Sequence, residues 1–369
     1  MKTIRVNPDG WTDVIDLQPL FFRLTLDSAT EFLFGQSVES QLAELPGYSP
    51  PKNVPAIDHK TFAYFFDKSQ ADMARMARFG PLHWLMLSKE TKYMYKQCHA
   101  FIDHFVHLAL SKPQNLEKSS EKDTGSSGSS KKYVFLDALV ESTRDPLELR
   151  HELLNILLAG RDTTASLLSF IFMLLIQHPA VFSKLRTIII ETFGTYSHPR
   201  NLSFSDLKGC SYLQWTINET LRLYPVVPFN DRTAITDTVL PTGGGPDGKS
   251  PIYVRKGQVV EYSVYAMHRR TDLWGKDANE FRPERWDGRR SGWEFLPFNG
   301  GPRICIGQQF ALTEAAYVVV RLLQRFEGVE GVGNSWEEGP GGVGFVRQAA
   351  TLTTCPADGV RARLREARE

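Results

Sequence analysis

The sequence contains few cysteines and almost no excess of either charge. Four cysteines, Cys98, Cys210, Cys305 and Cys355, occur in 369 residues, too few and too scattered for a disulfide scaffold. Lysine and arginine total 43 and aspartate and glutamate 42, so the net charge of +1 creates no field that would attract nucleic acid. We therefore expect a protein of a reducing compartment that binds no nucleic acid, in which any special cysteine acts alone.

Long apolar segments are also absent. The N-terminus, MKTIRVNPDGWTDVIDL, lacks the apolar core of a signal peptide. The longest apolar stretch, Ala165–Ile176, is interrupted by two serines and is shorter than the roughly 20 residues of a membrane span, so it predicts a buried helix. Hydrophobic residues still make up 42% of the chain, which is enough for a large core and excludes a disordered protein.

Apolar residues at spacings of three and four predict a mainly helical chain, with a smaller β-rich region before the last long helix. The predicted helices are Leu17–Leu33, Ala100–Leu110, a long helix from Pro146 that can extend to Pro179 with Asp145 as N-cap, SYLQWTINETLRLYP after Gly209, and Ile306–Phe326. The predicted strands are Thr238–Leu240, Ile252–Arg255 and Val259–Ala266. Residues 111–132 are nearly devoid of apolar side chains, so we expect a flexible surface loop inside a single domain spanning residues 1–369.

Two glycine-rich segments match nucleotide-binding patterns in their letters only. Gly243–Ser250 (GGGPDGKS) fits a phosphate loop and Gly339–Gly344 (GPGGVG) fits a dinucleotide fingerprint. Both motifs require a helix N-terminus directly after the loop to bind phosphate. Gly243–Ser250 is followed by a short β-branched run, and no clear helix follows Gly339–Gly344. We therefore expect ordinary loops at both places.

The strongest functional signal is the segment Phe298–Gly307, FNGGPRICIG. Cys305 immediately precedes a predicted helix, whose first N–H groups can stabilise a thiolate. Glycines, including Gly301 and Gly307, remove side chains around the sulfur, as a flat macrocycle lying against the backbone would require. Arg303 is suited to bind a carboxylate. The alternative for a lone cysteine is an inert buried thiol.

The spacing F-x-x-G-x-R-x-C-x-G resembles the haem-binding signature of the cytochrome P450 family of haem-thiolate monooxygenases. Glu219-Thr220-Leu221-Arg222 resembles the family's E-x-x-R helix, and FRPERW at 281–286 resembles the region that supplies a second arginine, Arg285. Alone, such a pair at i, i+3 is a common helical ion pair worth a few tenths of a kcal/mol. The resemblance implies instead that Glu219, Arg222 and Arg285 form an internal network beside the haem.

The segment AGRDTT at 159–164 resembles the oxygen-activation motif of the same family. The resemblance implies that Gly160 leaves room for dioxygen and that Asp162 and Thr163 deliver protons. The alternative is a helical threonine pair beside a surface aspartate. Arg232 lies where many members carry an arginine that binds a haem propionate, with an ordinary surface arginine as the alternative.

The resemblance further implies which residues bind the cofactor and the substrate. The cofactor would be haem b, iron protoporphyrin IX, with Cys305 as the axial iron ligand and the remaining contacts from Phe298, Gly301, Arg303, Gly307 and Arg232. The substrate pocket is expected to be apolar and to be lined by Leu153, Leu157, Leu158, Ala159, Val226, Val227 and Phe229.

The segments LLAGRDTTASLLS and ETLRLYPVVPFN are similar to those of the fungal branch of the family that hydroxylates n-alkanes and fatty acids. This similarity implies a monooxygenase that inserts one atom of O2 into an apolar substrate, with NADPH–cytochrome P450 reductase as electron donor. A haem-thiolate isomerase or dehydratase and a non-catalytic truncated remnant are the alternatives.

The resemblance runs from about Asp16 to the C-terminus. The family's membrane anchor, its first helices and its W-x-x-x-R helix have no counterpart here, so we expect the cytochrome P450 fold without its N-terminal section. The full-length form is expected at the cytoplasmic face of the endoplasmic reticulum membrane, attached only through the missing anchor. The chain as given is expected to be soluble or aggregated.

Overall fold

The computed structural model describes residues 4–45, 47–48, 59–112, 133–333, 336–338, 344–350 and 352–368. The loop predicted at 111–132 lies outside the described residues except for its first two positions, and most of Gly339–Gly344 also lies outside them.

Within these ranges the chain forms eleven α-helices. They are α1 (Leu17–Phe34), α2 (His59–Phe79), α3 (Lys89–Ser111), α4 (Phe135–Ser142), α5 (Pro146–Gln177), α6 (Pro179–Phe193), α7 (Phe204–Gly209), α8 (Ser211–Leu223), α9 (Val264–Met267), α10 (Thr271–Trp274) and α11 (Gln308–Arg325). The expectation of a mainly α protein with a smaller β-rich region is therefore confirmed.

The strands in the described residues are short, and the pairs whose register is defined are antiparallel. They are β1 (Ile15–Asp16), β2 (Phe229–Thr233), β3 (Thr238–Gly244), β4 (Ser250–Val254), β5 (Val259–Ser263), β6 (Phe326–Gly331), β7 (Trp336–Glu338), β8 (Gly344–Val346), β9 (Gln348–Ala350), β10 (Thr354–Pro356) and β11 (Arg361–Glu366). One sheet has three strands in the order β1-β11-β6, and the others are the two-stranded pairs β2-β5, β3-β4, β7-β8 and β9-β10.

The chain divides into two compact units. The first comprises Met1–Ser169, Gly328–Ser335 and Arg347–Glu366, and the second comprises Phe170–Glu327, Trp336–Val346 and Ala367–Glu369. The single domain expected over residues 1–369 stays a prediction, since a division into compact units does not decide the number of domains.

The core of the first unit lies among α1, α2, α3 and the first half of α5. Its buried side chains include Leu26, Phe62, Phe101 and Leu153, all inaccessible to solvent, and the rings of Phe62 and Phe101 stack with centroids 3.8 Å apart. Each fully buried side chain of this size contributes about 1.5–3 kcal/mol. This aromatic-rich cluster therefore supplies a large share of the stability of the unit.

Helix α5 has the start and the length that the sequence predicts. The Asp145 carboxylate accepts a hydrogen bond of 2.8 Å from the Leu147 N–H, Pro146 occupies the first helical position, and the helix ends at Gln177 before Pro179 begins α6. By length and composition alone α5 could cross a membrane, but 72% of its most apolar 18-residue window is buried inside the molecule. It therefore has the character of a core helix.

The second unit packs α11 against α6, α7 and α8, and α8 against the short 3-10 helix Pro283–Trp286. An aromatic cluster of Trp274 and Trp286 with Phe295 fills the space beside this turn. The glycine-rich segment Gly243–Ser250 joins β3 to β4 in a hairpin, which confirms the prediction of an ordinary loop between two strands.

The helix predicted at Ala100–Leu110 is the second half of α3, which begins at Lys89, and the strand predicted at Thr238–Leu240 extends to Gly244. Among the other boundaries, two were wrong for local reasons. The strand expected over Val259–Ala266 stops at Ser263, because the Ser263 hydroxyl accepts a hydrogen bond of 3.1 Å from the Ala266 N–H and so caps the single turn α9. The last long helix begins at Gln308, with Gly307 as N-cap. Cys305 therefore lies two residues before the helix cap and not directly at the first turn of the helix.

Candidate functional site

Cys305 lies in a tight loop of the second unit whose backbone folds back on itself. The Cys305 N–H donates a hydrogen bond of 2.9 Å to the Phe298 carbonyl, and the Ile304 N–H donates one of 3.1 Å to the Gly301 carbonyl. Gly301 has a φ of +69°, in the left-handed region that glycine adopts without strain. We call residues 298–307 the cysteine loop.

Side-chain hydrogen bonds fix the start of the cysteine loop. Asn299 has a φ of +62°, and its amide oxygen accepts hydrogen bonds of 2.9 Å from the Tyr262 hydroxyl and from the Gly300 N–H. The Asn299 amide nitrogen donates to Asn230 on β2 at 3.3 Å. The loop is therefore attached to the β2-β5 pair by polar contacts on both sides of one side chain.

Cys305 is exposed and its neighbours in the chain are apolar. Ile304 and Ile306 are 53% and 102% exposed, and Trp293 is 71% exposed. A Cβ atom added at Gly307 would lie 3.9 Å from Cys305 Sγ, so a larger side chain there would occupy the space beside the sulfur. Such a concentration of exposed apolar side chains is typical of a surface that binds an apolar group.

The other three cysteines are poor candidates for a reactive thiolate. Burial raises the pKa of Cys98 and of Cys355 to about 11, and burial also raises the pKa of Cys210. A neutral buried thiol is a weak nucleophile and a weak metal ligand. Cys305 alone of the four is exposed.

Two exposed arginines are candidates to bind an anionic group: Arg303 inside the cysteine loop and Arg232 on β2. Among the described residues the side chain of Arg303 forms no hydrogen bond or ion pair, and it lies in the short 3-10 turn Gly301–Arg303. Arg232 on β2 is exposed and donates to the neighbouring Asp231 carbonyl at 2.6 Å. Neither guanidinium is paired with a carboxylate in the described part of the chain, so both are available to an anionic group.

Glu219, Arg222 and Arg285 meet in a fully buried network in the second unit. The Glu219 carboxylate accepts two hydrogen bonds from Arg222, of 2.8 and 2.9 Å, and one of 3.1 Å from Arg285 Nε. The side chains of Glu219 and Arg222 are 0% exposed. Arg285 also forms an ion pair of 2.9 Å with Asp277, and the Trp286 indole N–H donates to Glu219 at 3.0 Å. Sequence reasoning missed the contributions of Asp277 and Trp286.

Asp162 lies in the first unit and is buried, not on the surface. Its carboxylate is 3.1 Å from Arg161 Nη1, and Arg161 also pairs with Asp67 on α2. Burial raises the pKa of Asp162 to about 6, the charge of Arg161 opposes this rise and that of Asp67 adds to it. Sequence reasoning missed the buried Arg161, although it lies inside the quoted AGRDTT motif.

Thr163 is half-buried and its hydroxyl has a partner within the helix. It donates a hydrogen bond of 2.7 Å to the Ala159 carbonyl, and no hydrogen bond joins it to Asp162 among the described residues. A Cβ atom added at Gly160 would meet no described atom within 4 Å outside the local helix backbone. The motif therefore combines a buried acid with open space beside a glycine.

The residues expected to line a substrate pocket differ in their exposure. Leu153 and Leu157 are fully buried in the core of the first unit, so they are not available to a substrate. Leu158 is half-buried and Ala159 exposed. In the second unit Val226 is buried, Val227 is half-buried and Phe229 is 57% exposed.

Comparison with known proteins identifies the family. A family model described as Cytochrome P450 matches residues 2–351. The chain belongs to the cytochrome P450 family. Cytochrome P450 monooxygenase g430 of Fusarium sp is 51% identical over 358 residues, which cover 97% of this chain and 60% of the relative.

Yeast cytochromes P450 are similar to the same extent. Cytochrome P450 52A10 of Candida maltosa is 53% identical over 321 residues, which cover 85% of this chain and 60% of the relative. Cytochrome P450 52A13 of Debaryomyces hansenii is 50% identical over 333 residues, which cover 89% of this chain and 62% of the relative. This cytochrome P450 chain thus spans about three fifths of the length of the curated relatives it matches.

The cytochrome P450 family implies a haem-thiolate cofactor, and the residues around Cys305 fit one. No group of three or more His, Cys, Asp or Glu residues that could hold a bare metal ion occurs in the described ranges. Haem iron needs only one ligand from the protein, because the macrocycle itself holds the metal. The exposed residue Cys305, the absence of a side chain at Gly307 and the apolar side chains of Ile304 and Ile306 suit the iron and the flat ring. Arg303 suits the carboxylates of the ring.

Proposed function

We propose that this cytochrome P450 acts as a monooxygenase that inserts one atom of O2 into an apolar substrate. The observation that carries the proposal is Cys305, which is exposed in a glycine-containing loop with apolar neighbours while burial affects the other three cysteines. When bound, a haem of the b type supplies iron that activates O2, and a thiolate ligand favours cleavage of the O–O bond.

We assign the cofactor contacts to residues of the second unit. The Cys305 thiolate would bind the haem iron, and Gly301 and Gly307 would leave room for the ring. Arg303 and Arg232 would bind the propionate carboxylates, because a guanidinium forms charge-assisted hydrogen bonds with carboxylates. Phe298 would contribute to the position of the sulfur, since its carbonyl accepts the Cys305 N–H at 2.9 Å.

We assign proton delivery to Asp162 and Thr163. A carboxyl group with a pKa of about 6 is protonated about one tenth of the time at pH 7, far more than an ordinary aspartate, and can still release the proton. Arg161 holds the carboxyl in place through a hydrogen bond of 3.1 Å. The Thr163 hydroxyl would pass the proton on from its Oγ1 atom. It donates its own hydrogen to the Ala159 carbonyl at 2.7 Å, so the lone pairs of Oγ1 can accept a hydrogen bond from another donor.

We propose fatty acids or n-alkanes as the substrates. The sequence resembles the fungal branch that hydroxylates such molecules, and the side chains assigned to the substrate are apolar: Leu158, Ala159, Val226, Val227 and Phe229. An apolar lining binds an aliphatic chain by removing its surface from water. For the whole protein we propose NADPH–cytochrome P450 reductase as electron donor and the cytoplasmic face of the endoplasmic reticulum membrane as location.

Isotope-labelled oxygen tests this function. The protein would be combined with reductase, NADPH and a long-chain fatty acid under labelled O2, and the products analysed by mass spectrometry. We expect a hydroxylated fatty acid that carries one labelled oxygen atom, at or near the terminal carbon. A product without labelled oxygen would contradict the monooxygenase activity, and turnover of polar or polyaromatic compounds alone would contradict the substrate class.

A further inference from the structure

His268 is a fully buried histidine whose two ring nitrogens both have backbone partners. Nδ1 lies 3.2 Å from the Arg222 carbonyl oxygen, and Nε2 lies 2.9 Å from the Leu296 N–H. Because a backbone N–H can only donate, Nε2 must be the acceptor and Nδ1 must carry the proton that is donated to Arg222. The two contacts therefore define a single neutral tautomer.

The two partners of His268 belong to different parts of the site. Arg222 is the arginine of the buried Glu219 network, and its Nη1 atom donates back to the His268 carbonyl at 2.9 Å. Leu296 lies two residues before Phe298, whose carbonyl accepts the Cys305 N–H at 2.9 Å. His268 thus connects the rigid buried network to the residues from which the cysteine loop starts.

The surroundings keep the ring neutral and in place. Burial, assisted by the positive charges of Arg222 and Arg269, lowers the pKa of His268 to about 4. The ring also packs against Phe295, with centroids 5.1 Å apart, and against Trp274 at 6.3 Å. An apolar side chain of similar size could fill this space, but it would leave the Leu296 N–H and the Arg222 carbonyl without these partners.

We propose that His268 is a positioning residue for the cysteine loop, which it couples to Arg222 through the Leu296 N–H. Its importance for ligation rests on the proposed function of Cys305, whereas the coupling itself is a property of the polypeptide. In this role the acceptor at Nε2 is the essential atom, and the donor at Nδ1 orients it.

Three substitutions separate the two nitrogens of the ring. His268→Phe keeps a ring and removes both polar atoms. His268→Gln is long enough to place an amide oxygen near the position of Nε2, whereas His268→Asn reaches only the position of Nδ1. Ile189→Ala on α6 is the matched control, because Ile189 is fully buried in the same unit and its loss lowers stability without removing a polar contact of the loop.

Hydrogen exchange of the chain without haem provides a readout that needs no ligand. We expect amide exchange in residues 296–305 to be about tenfold to a hundredfold faster in His268→Phe than in the parent, the factor that loss of one buried hydrogen-bond partner produces. His268→Gln should restore most of the protection and His268→Asn little of it. Each variant is measured at the same number of degrees below its own thermal midpoint. Under these conditions Ile189→Ala should leave residues 296–305 protected.

The proposal fails if exchange in residues 296–305 is no faster in His268→Phe than in Ile189→Ala, or if His268→Asn protects the segment as well as His268→Gln. The comparison of the Gln and Asn variants decides the matter even where the Phe variant does not fold.

With haem bound, the reduced CO complex gives a second readout. The parent should show the red-shifted Soret band of a thiolate ligand, and the Asn variant should lose it faster than the Gln variant. A parent without this band would refute ligation by Cys305 and leave the exchange result to decide the role of His268.

Discussion

Replacement of Glu219 by alanine tests the buried network directly. The carboxylate accepts five hydrogen bonds of 2.8 to 3.1 Å, from Arg222 Nε and Nη2, Arg285 Nε, the Trp286 indole and the Arg282 backbone N–H. Glu219→Ala removes the carboxylate partner of the Arg222 guanidinium, which is 0% exposed in the parent. Leaving one member of a buried ion pair uncompensated costs about 3–5 kcal/mol, so we expect a loss of that size in the free energy of unfolding.

The matched control is a surface ion pair of the same unit. Lys184 and Glu284 are 2.7 Å apart, and their side chains are 51% and 44% exposed. Because solvent screens such a pair, Lys184→Ala is expected to cost about 1 kcal/mol or less. Urea unfolding followed by tryptophan fluorescence measures both variants, since Trp286 contacts Glu219 itself. A Glu219→Ala variant that loses no more stability than Lys184→Ala would refute the reasoning.

Three further predictions concern the proton-delivery residues and the cysteines. Thr163→Val should lower the product formed per NADPH consumed while Thr163→Ser retains it; equal coupling in the two variants would contradict a role for the hydroxyl. The pKa of Asp162 is raised from 3.8 to about 6 in the folded protein, so its stabilising contribution is fully present below pH 3.8 and is lost as the pH rises through about 6. Asp162→Asn should therefore flatten the pH dependence of the free energy of unfolding between these two values. An unchanged slope would contradict the shift. Iodoacetamide should alkylate the exposed Cys305 of the chain without haem well before the buried Cys98, as peptide mapping would show, and equal rates would contradict this difference in accessibility.

Local signals predicted those parts of the fold that depend on local interactions. The cap at Asp145 and the proline after it gave the start of α5, because both act within the first turn. The i, i+3 spacing of Glu219 and Arg222 suffices to bring them together on α8. Helix α6 was not predicted, although Pro179 begins it, since the proline was used only as the limit of α5.

Contacts between residues distant in the sequence could not be predicted in this way. His268 contacts Arg222 and Leu296, which lie 46 and 28 residues away, and no spacing rule links such positions. His268 lies in the segment Met267–Arg270, and nothing in this local sequence distinguishes a buried from an exposed histidine. Likewise, the burial of Asp162 beside Arg161 depends on α2, which supplies Asp67. The sequence of α5 alone therefore could not exclude the alternative that Asp162 lies on the surface.

The central claim is that Cys305 binds haem iron as a thiolate, and the spectrum of the reduced CO complex measures it most directly. The account predicts the red-shifted Soret band of thiolate ligation in the parent and in Cys98→Ala, whose thiol is buried, and its loss in Cys305→Ala. A spectrum typical of histidine-ligated haem in the parent, or a red-shifted band that survives in Cys305→Ala, would contradict the claim.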